Sequence, residues 1–242
     1  VEGVLTDALA AALRAPGVRI VCAGRTDAGV HAIGQSIHFD AGVPVADVAR
    51  LQRSLNGQLP PSVRVRDLRP AEPGFDARFS ALWRRYRYRV TDAVPDPLQR
   101  REVLASPRVL DAGAMDRAAA ALVGEHDFGS FCRPRPGATT VREVRSCTWR
   151  RRPDGVLELE VVADAFCHSM VRSIVGASLE VGRGRRDPSW MAGLLAHPSR
   201  LHAAPVAAPH GLVLVEVGYP APDQYAARAR AARRRRGDAG DT

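Results

Sequence analysis

The stretch "CAGRTDAGVHAIGQ", Cys22 to Gln35, sets Arg25 and Asp27 two residues apart among glycines and alanines. An acid with no bulky neighbour can meet another molecule's ring or backbone, and Gly24 and Gly29 can take turn conformations closed to other residues. Two readings stand for Asp27. It can form an Asx-type turn, its carboxylate bonding its own backbone, or it can be a reactive acid with Arg25 and His31 beside it. A second candidate is "FCHSMVRSIVG", where His168 and Arg172 stand four residues apart at the start of an apolar helix and project from one side. A guanidinium held among Met170, Val171, Ile174 and Val175 is costly to desolvate unless an anion meets it; an exposed helix-face arginine is the plainer reading. The third candidate is "RFSALWRRYRYRV", whose alternation puts Tyr86, Tyr88 and Val90 on one strand face and Arg85, Arg87 and Arg89 on the other. Arginines interleaved with aromatics suit nucleic acid, where guanidinium groups meet phosphates and rings stack on bases. A core tyrosine and a solvated charged face are the alternatives.

Composition narrows the chemistry further. The 242 residues carry a net charge of +9, which points toward a polyanion. All 35 cationic residues are arginine, so no mechanism can use a Schiff-base or P-loop lysine. Cys22, Cys132, Cys147 and Cys167 form no CxxC pair and have no histidines at zinc-ligand spacing, which predicts separate reduced thiols. No cluster of acids suggests a metal site, and no metal is expected. No apolar run approaches a membrane span and no export segment opens the sequence, so a soluble cytoplasmic protein without a membrane partner is expected.

The elements that must position these residues alternate between helix and strand. Leu5, Leu9, Ala12 and Leu13 predict a helix over 1–14, ended by Pro16-Gly17; "VRIVCA" then reads as a buried strand and "AIGQSIHF" as a half-buried one. Asp27 therefore falls on the loop between two strands. "VADVARLQRSLNGQLP" predicts a second helix and "VRVRDL" a strand after it. Beyond the Pro- and Gly-bearing "RPAEPG" at 69–74 come the strand "LWRRYRYRV", a helix around 113–123, strands near 141–150 and 156–163, helices at 168–182 and 188–196, and the strand "LVLVEV". The pattern is α+β. It predicts an N-terminal half over 1–72, a C-terminal half over 73–222 and a disordered arginine-rich tail over 223–242.

"AGRTDAGVHAIGQ", "FDARFSALWRRYRYRV" and "AFCHSMVRSIVG", in this order and with "LNGQLP", "GEHDFGSF" and "GLVLVEVGYP", resemble the tRNA pseudouridine synthase A family. The likeness runs from Val1 to about Pro220. It implies two similar halves of mainly antiparallel sheet, helices packed on one face, and an active-site cleft between the halves. It also implies a homodimer that needs no cofactor and isomerises uridines in the anticodon stem-loop, tRNA positions 38–40. Carried over by position, the catalytic acid falls on Asp27, the active-site tyrosine on Tyr86 and the arginine paired with the acid on Arg172. The family's arginine beside the acid, which helps to hold the target base out of the stack, falls on Arg25; His31, Arg85, Arg87, His168, Met170 and Leu214 are further substrate-binding candidates among this sequence's own residues. Family members have a strand and a "YDG"-like segment ahead of the first helix. This sequence starts at that helix, so the resemblance implies a first half-sheet lacking its opening strand. A catalytically inactive RNA-binding protein is the alternative on that ground, and a nuclease would need the metal-binding acids that do not stand out.

Overall fold

The computed structural model describes residues 1–133, 139–199, 201 and 205–237. The chain opens with helix α1 (Glu2–Leu13), which turns out of helical geometry at Arg14, and Leu5, Ala8 and Leu9 bury its inner face. Strand β1 (Ile20–Cys22) pairs antiparallel with β3 (Ile37–Phe39) in a two-stranded sheet. Helix α2 (Val48–Gln58) starts at Asp47, whose carboxylate accepts a bond from the Arg50 amide at 2.8 Å, the usual way of satisfying an orphan N–H at a helix start. Leu51, Leu55 and Leu59 meet Leu5, Leu9 and Val18 in a first, small core.

A larger core lies in the rest of the chain. Strands β4 (Trp83–Thr91), β5 (Leu104–Ala105), β6 (Gly124–Asp127), β7 (Val141–Arg151), β8 (Leu157–Ala163) and β9 (Leu212–Gly218) join a seven-stranded sheet with β2 (His31–Ala32). Its order is β2-β9-β4-β8-β7-β6, with β5 beside β4, and every pairing is antiparallel except β2 with β9 and β4 with β5. Helices α3 (Ala112–Ala120), α4 (Met170–Gly182) and α5 (Trp190–Ala196) supply Met115, Ile174, Val175 and Met191 to a core shared with Tyr86, Tyr88, Leu159 and Leu214. The expected α+β fold with a mainly antiparallel sheet is what the chain adopts, in two sheets of unequal size.

Four sequence expectations are corrected. "AIGQSIHF" is not one strand but two short ones in different sheets. The chain leaves β2 at Ile33, whose amide donates to the Leu214 carbonyl at 2.9 Å. It then passes so close to β9 that a Cβ on Gly34 would lie 2.0 Å from the Val215 carbonyl oxygen. Among the described residues "VRVRDL" pairs with no strand. Side chains of α2 take its backbone instead: Asn56 Nδ2 donates to the Val65 carbonyl at 2.9 Å and the Val65 amide donates to Asn56 Oδ1 at 2.8 Å.

The tail expected to be disordered contains helix α6 (Tyr225–Gly237). Alanine and arginine are good helix formers, and an aromatic cluster of Tyr225, Phe75 and Tyr219 fixes its first turn. The side chains of Arg234, Arg235 and Arg236 lie outside the described residues. Finally, Cys132 and Cys167, read as separate thiols, are paired as a disulfide with Cα atoms 5.7 Å apart. That spacing suits the bond; a sequence separation of 35 hides it in the sequence. No described helix is long and apolar enough to cross a membrane.

Candidate active site

Asp27 sits where the chain crosses from the small sheet to the large one, between β1 and β2. A turn closes over it, with the Val30 amide donating to the Asp27 carbonyl at 3.1 Å and Gly29 taking φ +83°. Gln35 clasps the loop from the far side. Its Nε2 donates to the Gly24 carbonyl at 2.7 Å and its Oε1 accepts from the Gly24 amide at 3.3 Å.

The Asp27 carboxylate does not turn back on its own loop. Its hydrogen bonds run to α4: Arg172 Nη1 donates to Oδ2 at 2.7 Å and Ser169 Oγ to the same oxygen at 3.4 Å, while His168 Nε2 is 3.4 Å from Oδ1. Among the described residues no bond from its own backbone reaches this carboxylate, so the reading as an Asx turn is excluded. Arg172 is oriented by a second bond, Nε to the Ala207 carbonyl at 2.7 Å. Held at two ends, the guanidinium presents one face of its fork to Asp27. Ser169 takes a left-handed backbone, φ 63°, to turn the chain into α4, an uncommon conformation for a residue with a side chain.

Asp27, Arg25, Tyr86, His168, Met170 and Arg172 all line one cleft of about 990 Å³. Tyr86 forms part of its wall, edge-on to Phe166 with ring centroids 5.0 Å apart. Burial pushes the Tyr86 phenol up to about 12, with Arg84 pulling it down and Asp27 pushing it up. The phenol is therefore neutral at physiological pH, a proton donor and a flat apolar surface. Core and cleft readings of Tyr86 are both met, since the ring is 7% exposed.

Four expected substrate-binding residues stand elsewhere. Arg85 and Arg87 lie on the opposite face of β4 from Tyr86, as neighbours in a strand must, and carboxylates there neutralise them. Arg85 pairs with Glu160 at 3.2 Å and Glu216 at 3.5 Å; Arg87 approaches the buried Glu158 at 3.7 Å. Burial opposes the charge of Glu158, but Arg150, Arg89 and Arg152 hold its carboxyl down at about 2. Leu214 is fully buried beside Tyr86 in the β4–β9 ladder, part of the core rather than the cleft wall. His31 Nε2 is 2.6 Å from the Arg101 carbonyl oxygen, outside the cleft lining.

Arg84, Ser169 and Asp164 had no part in the sequence reading. Arg84 shares the Tyr86 face of β4 and is 8% exposed. Its Nη1 donates to the Asp164 carbonyl at 2.7 Å, and its Nη2 to the carbonyls of Ala23 at 3.0 Å and Arg78 at 2.7 Å. One side chain thus ties the Asp27 loop, the segment before β4 and the segment leading into α4. Strand parity was the available signal, because Arg84 falls on the even positions with Tyr86 and Tyr88. Asp164 also lines the cleft, but its Oδ1 accepts from the Glu143 and Ala165 amides, which leaves Asp27 as the acid facing α4. Among the described residues no cluster of His, Cys, Asp or Glu could hold a metal.

Residues 118–220 match the sequence profile of a family described as tRNA pseudouridine synthase. Together with the α+β fold, this match defines the class, an isomerase that makes pseudouridine. Similarity to individual proteins extends over nearly the whole chain. A tRNA pseudouridine synthase A of Frankia casuarinae is 54% identical over 96% of this chain and 85% of its own length. Those of Streptomyces griseus and Corynebacterium glutamicum are 51% and 45% identical, over 96% and 95% of this chain and 84% and 83% of their own lengths. The chain belongs to the tRNA pseudouridine synthase A family.

Proposed function

We propose that this protein converts uridine to pseudouridine in tRNA, at positions 38–40 of the anticodon stem-loop, and works as a cytoplasmic homodimer. The stem-loop target and the dimer rest on the family resemblance, and the compartment on the expectation drawn from the sequence. The chemistry rests on one observation: of the described carboxylates lining the cleft, Asp27 is the one fixed by Arg172, with a protonated tyrosine beside it. Isomerisation breaks the C1′–N1 bond, turns the base, joins C5 to C1′ and removes the C5 proton. A glycosidase needs two carboxyl groups, to protonate the leaving group and to activate water. Here the uracil departs as an anion and returns, so one carboxylate suffices.

Asp27 acts on the sugar or the base during detachment. Arg172 keeps its charge in place and aims it, and His168 and Ser169 approach its two oxygens. The Tyr86 ring gives the turning base a flat surface, and its hydroxyl can pass a proton. Arg25, on the Asp27 loop, fills the space of a uridine swung out of its helix, a step that costs a few kcal/mol.

The test is Asp27→Asn, assayed by tritium release from C5-labelled uridine in tRNA. The amide keeps the shape and loses the negative oxygen, so a folded variant that binds tRNA but releases no tritium is expected. Release near the unmodified rate would remove Asp27 from the chemistry. An unmodified protein that binds tRNA and releases none would establish the silent RNA-binding alternative.

A further inference from the structure

Helix α6 adds a wall to the catalytic cleft. Thirteen residues, "YAARARAARRRRG", contain no acid, and the helix has no apolar stripe that would dock it by itself. Specific contacts hold it instead. Ser80 Oγ donates to the Tyr225 carbonyl at 3.2 Å, and Ala229 is buried. Arg233 Nη2 pairs with Asp76 at 2.7 Å, and its guanidinium lies 5.1 Å from the Phe79 ring centroid. The consequence is on the adjoining face, where Arg228 and Ala232, one turn apart, line the same cleft as Arg25, Asp27 and Tyr86.

Arg228 is held loosely. Among the described residues its one hydrogen bond is a long one, Nη2 to the Ala81 carbonyl at 3.5 Å, and its buried Nε has no partner there. Among the described residues it makes no ion pair. A guanidinium in a cleft wall with donors to spare suits an oxyanion that brings its own acceptors, and phosphate matches the fork of arginine. Arg230 lies two residues on, about 200° around the helix, and is exposed. The two arginines therefore separate a cleft-facing charge from a solvent-facing one on the same helix.

We propose that α6 is a substrate-binding element and that Arg228 contacts a phosphate of the RNA backbone flanking the nucleotide held at Asp27. This rests on the reading above that RNA enters this cleft. The experiment measures tRNA affinity of the full-length protein over a KCl series for the unmodified chain, Arg228→Gln, Arg228→Lys and Arg230→Gln. One lost phosphate contact should flatten the log–log salt slope by about 0.7–0.9 and weaken binding roughly fivefold at 0.1 M salt. Arg228→Gln should show both effects, Arg228→Lys should keep most of the slope, and Arg230→Gln should match the unmodified protein.

An unchanged slope in Arg228→Gln overturns the contact. Equal loss in Arg230→Gln overturns it too, since the helix would then act as a diffuse cationic cloud. Vesicles of phosphatidylserine are run in parallel: weakened vesicle binding with unchanged tRNA binding would assign the helix to a membrane surface and end the proposal. Should Arg228→Gln fail to fold, loss of slope in Arg228→Met, which keeps the long apolar stem, supports the contact and an unchanged slope refutes it. Pseudouridine formation by the unmodified protein is scored separately. Its absence would sink the isomerase reading while leaving the Arg228 comparison decisive.

Discussion

Arg84→Met tests whether the two sides of the cleft are joined through one buried side chain. The substitution keeps an unbranched stem and removes three hydrogen bonds from a charged donor, at 2.7, 3.0 and 2.7 Å. Bonds to charged groups contribute about 1.5–3 kcal/mol each, and the orphaned carbonyls of Ala23, Arg78 and Asp164 would face a largely dry site. Against this, the variant no longer buries a guanidinium, whose pKa burial already pulls down. The net loss of stability is about 2–4 kcal/mol. The catalytic effect is separate. Ala23 lies four residues before Asp27 and Asp164 eight before Arg172, so a shift between these segments moves acid and arginine apart, and a misplacement of about 1 Å costs roughly 100-fold in rate. The assay pairs urea unfolding with single-turnover tritium release at saturating tRNA, well below the melting temperature. Arg84→Lys, which keeps the charge and can reach only part of the bond set, should fall between the unmodified protein and Arg84→Met. A folded Arg84→Met protein with the unmodified single-turnover rate would refute the joint.

Arg172→Lys keeps a cation but gives up the fork that bonds both Asp27 and Ala207, and single-turnover isomerisation should slow by roughly 10- to 100-fold; a rate within twofold of normal would show that orientation is unimportant. Glu158 has its folded pKa, about 2, below its ordinary 4.5, so its stabilisation is fully present above pH 4.5 and disappears as pH falls toward 2. Glu158→Gln should therefore cost about 2–3 kcal/mol at pH 7 and almost nothing near pH 2, and an equal cost at both pH values in urea melts would contradict the ion-pair account. Gly34→Ala should lower stability by about 1–3 kcal/mol, because the new methyl meets the Val215 carbonyl, and an unaltered thermal midpoint would show that the crossing can shift aside.

Long periodic elements were legible in the sequence, and crossings between sheets were not. The alternation of "LWRRYRYRV" gives β4 to within a residue, and its parity correctly separates Tyr86 and Tyr88 from Arg85, Arg87 and Arg89. What parity cannot supply is the facing strand. Glu158, Glu160 and Glu216 turn that arginine face from a candidate phosphate surface into an ion-paired one. The Asp27–Arg172 contact spans 145 residues, beyond any periodicity, and the family resemblance supplied it. "AIGQSIHF" misled because alternation reads the same whether a chain stays in one sheet or changes sheets, and only Gly34 marks the change.

That change of sheets explains why the cleft lies where it does. Asp27 is on the segment that leaves β1 in the small sheet and enters β2 in the large one, while Arg172 belongs to α4, packed on the large sheet alone. The acid is thus fixed to the seam and its partner to one side of it. Two groups cross the seam to hold them in register, Arg84 through Ala23 and Arg172 through Asp27 itself, while Gln35 through Gly24 closes the small sheet's end of it. Arg84 and Gln35 act on the two residues after β1, so a strain that opens the small sheet against the large one is delivered directly to the Asp27 loop. On the proposed function, RNA bound in the cleft between them would act on the same joint, and the energy of gripping it would go into aligning the carboxylate with the sugar. Substrates cut down to a single nucleoside should then lose turnover number as well as affinity.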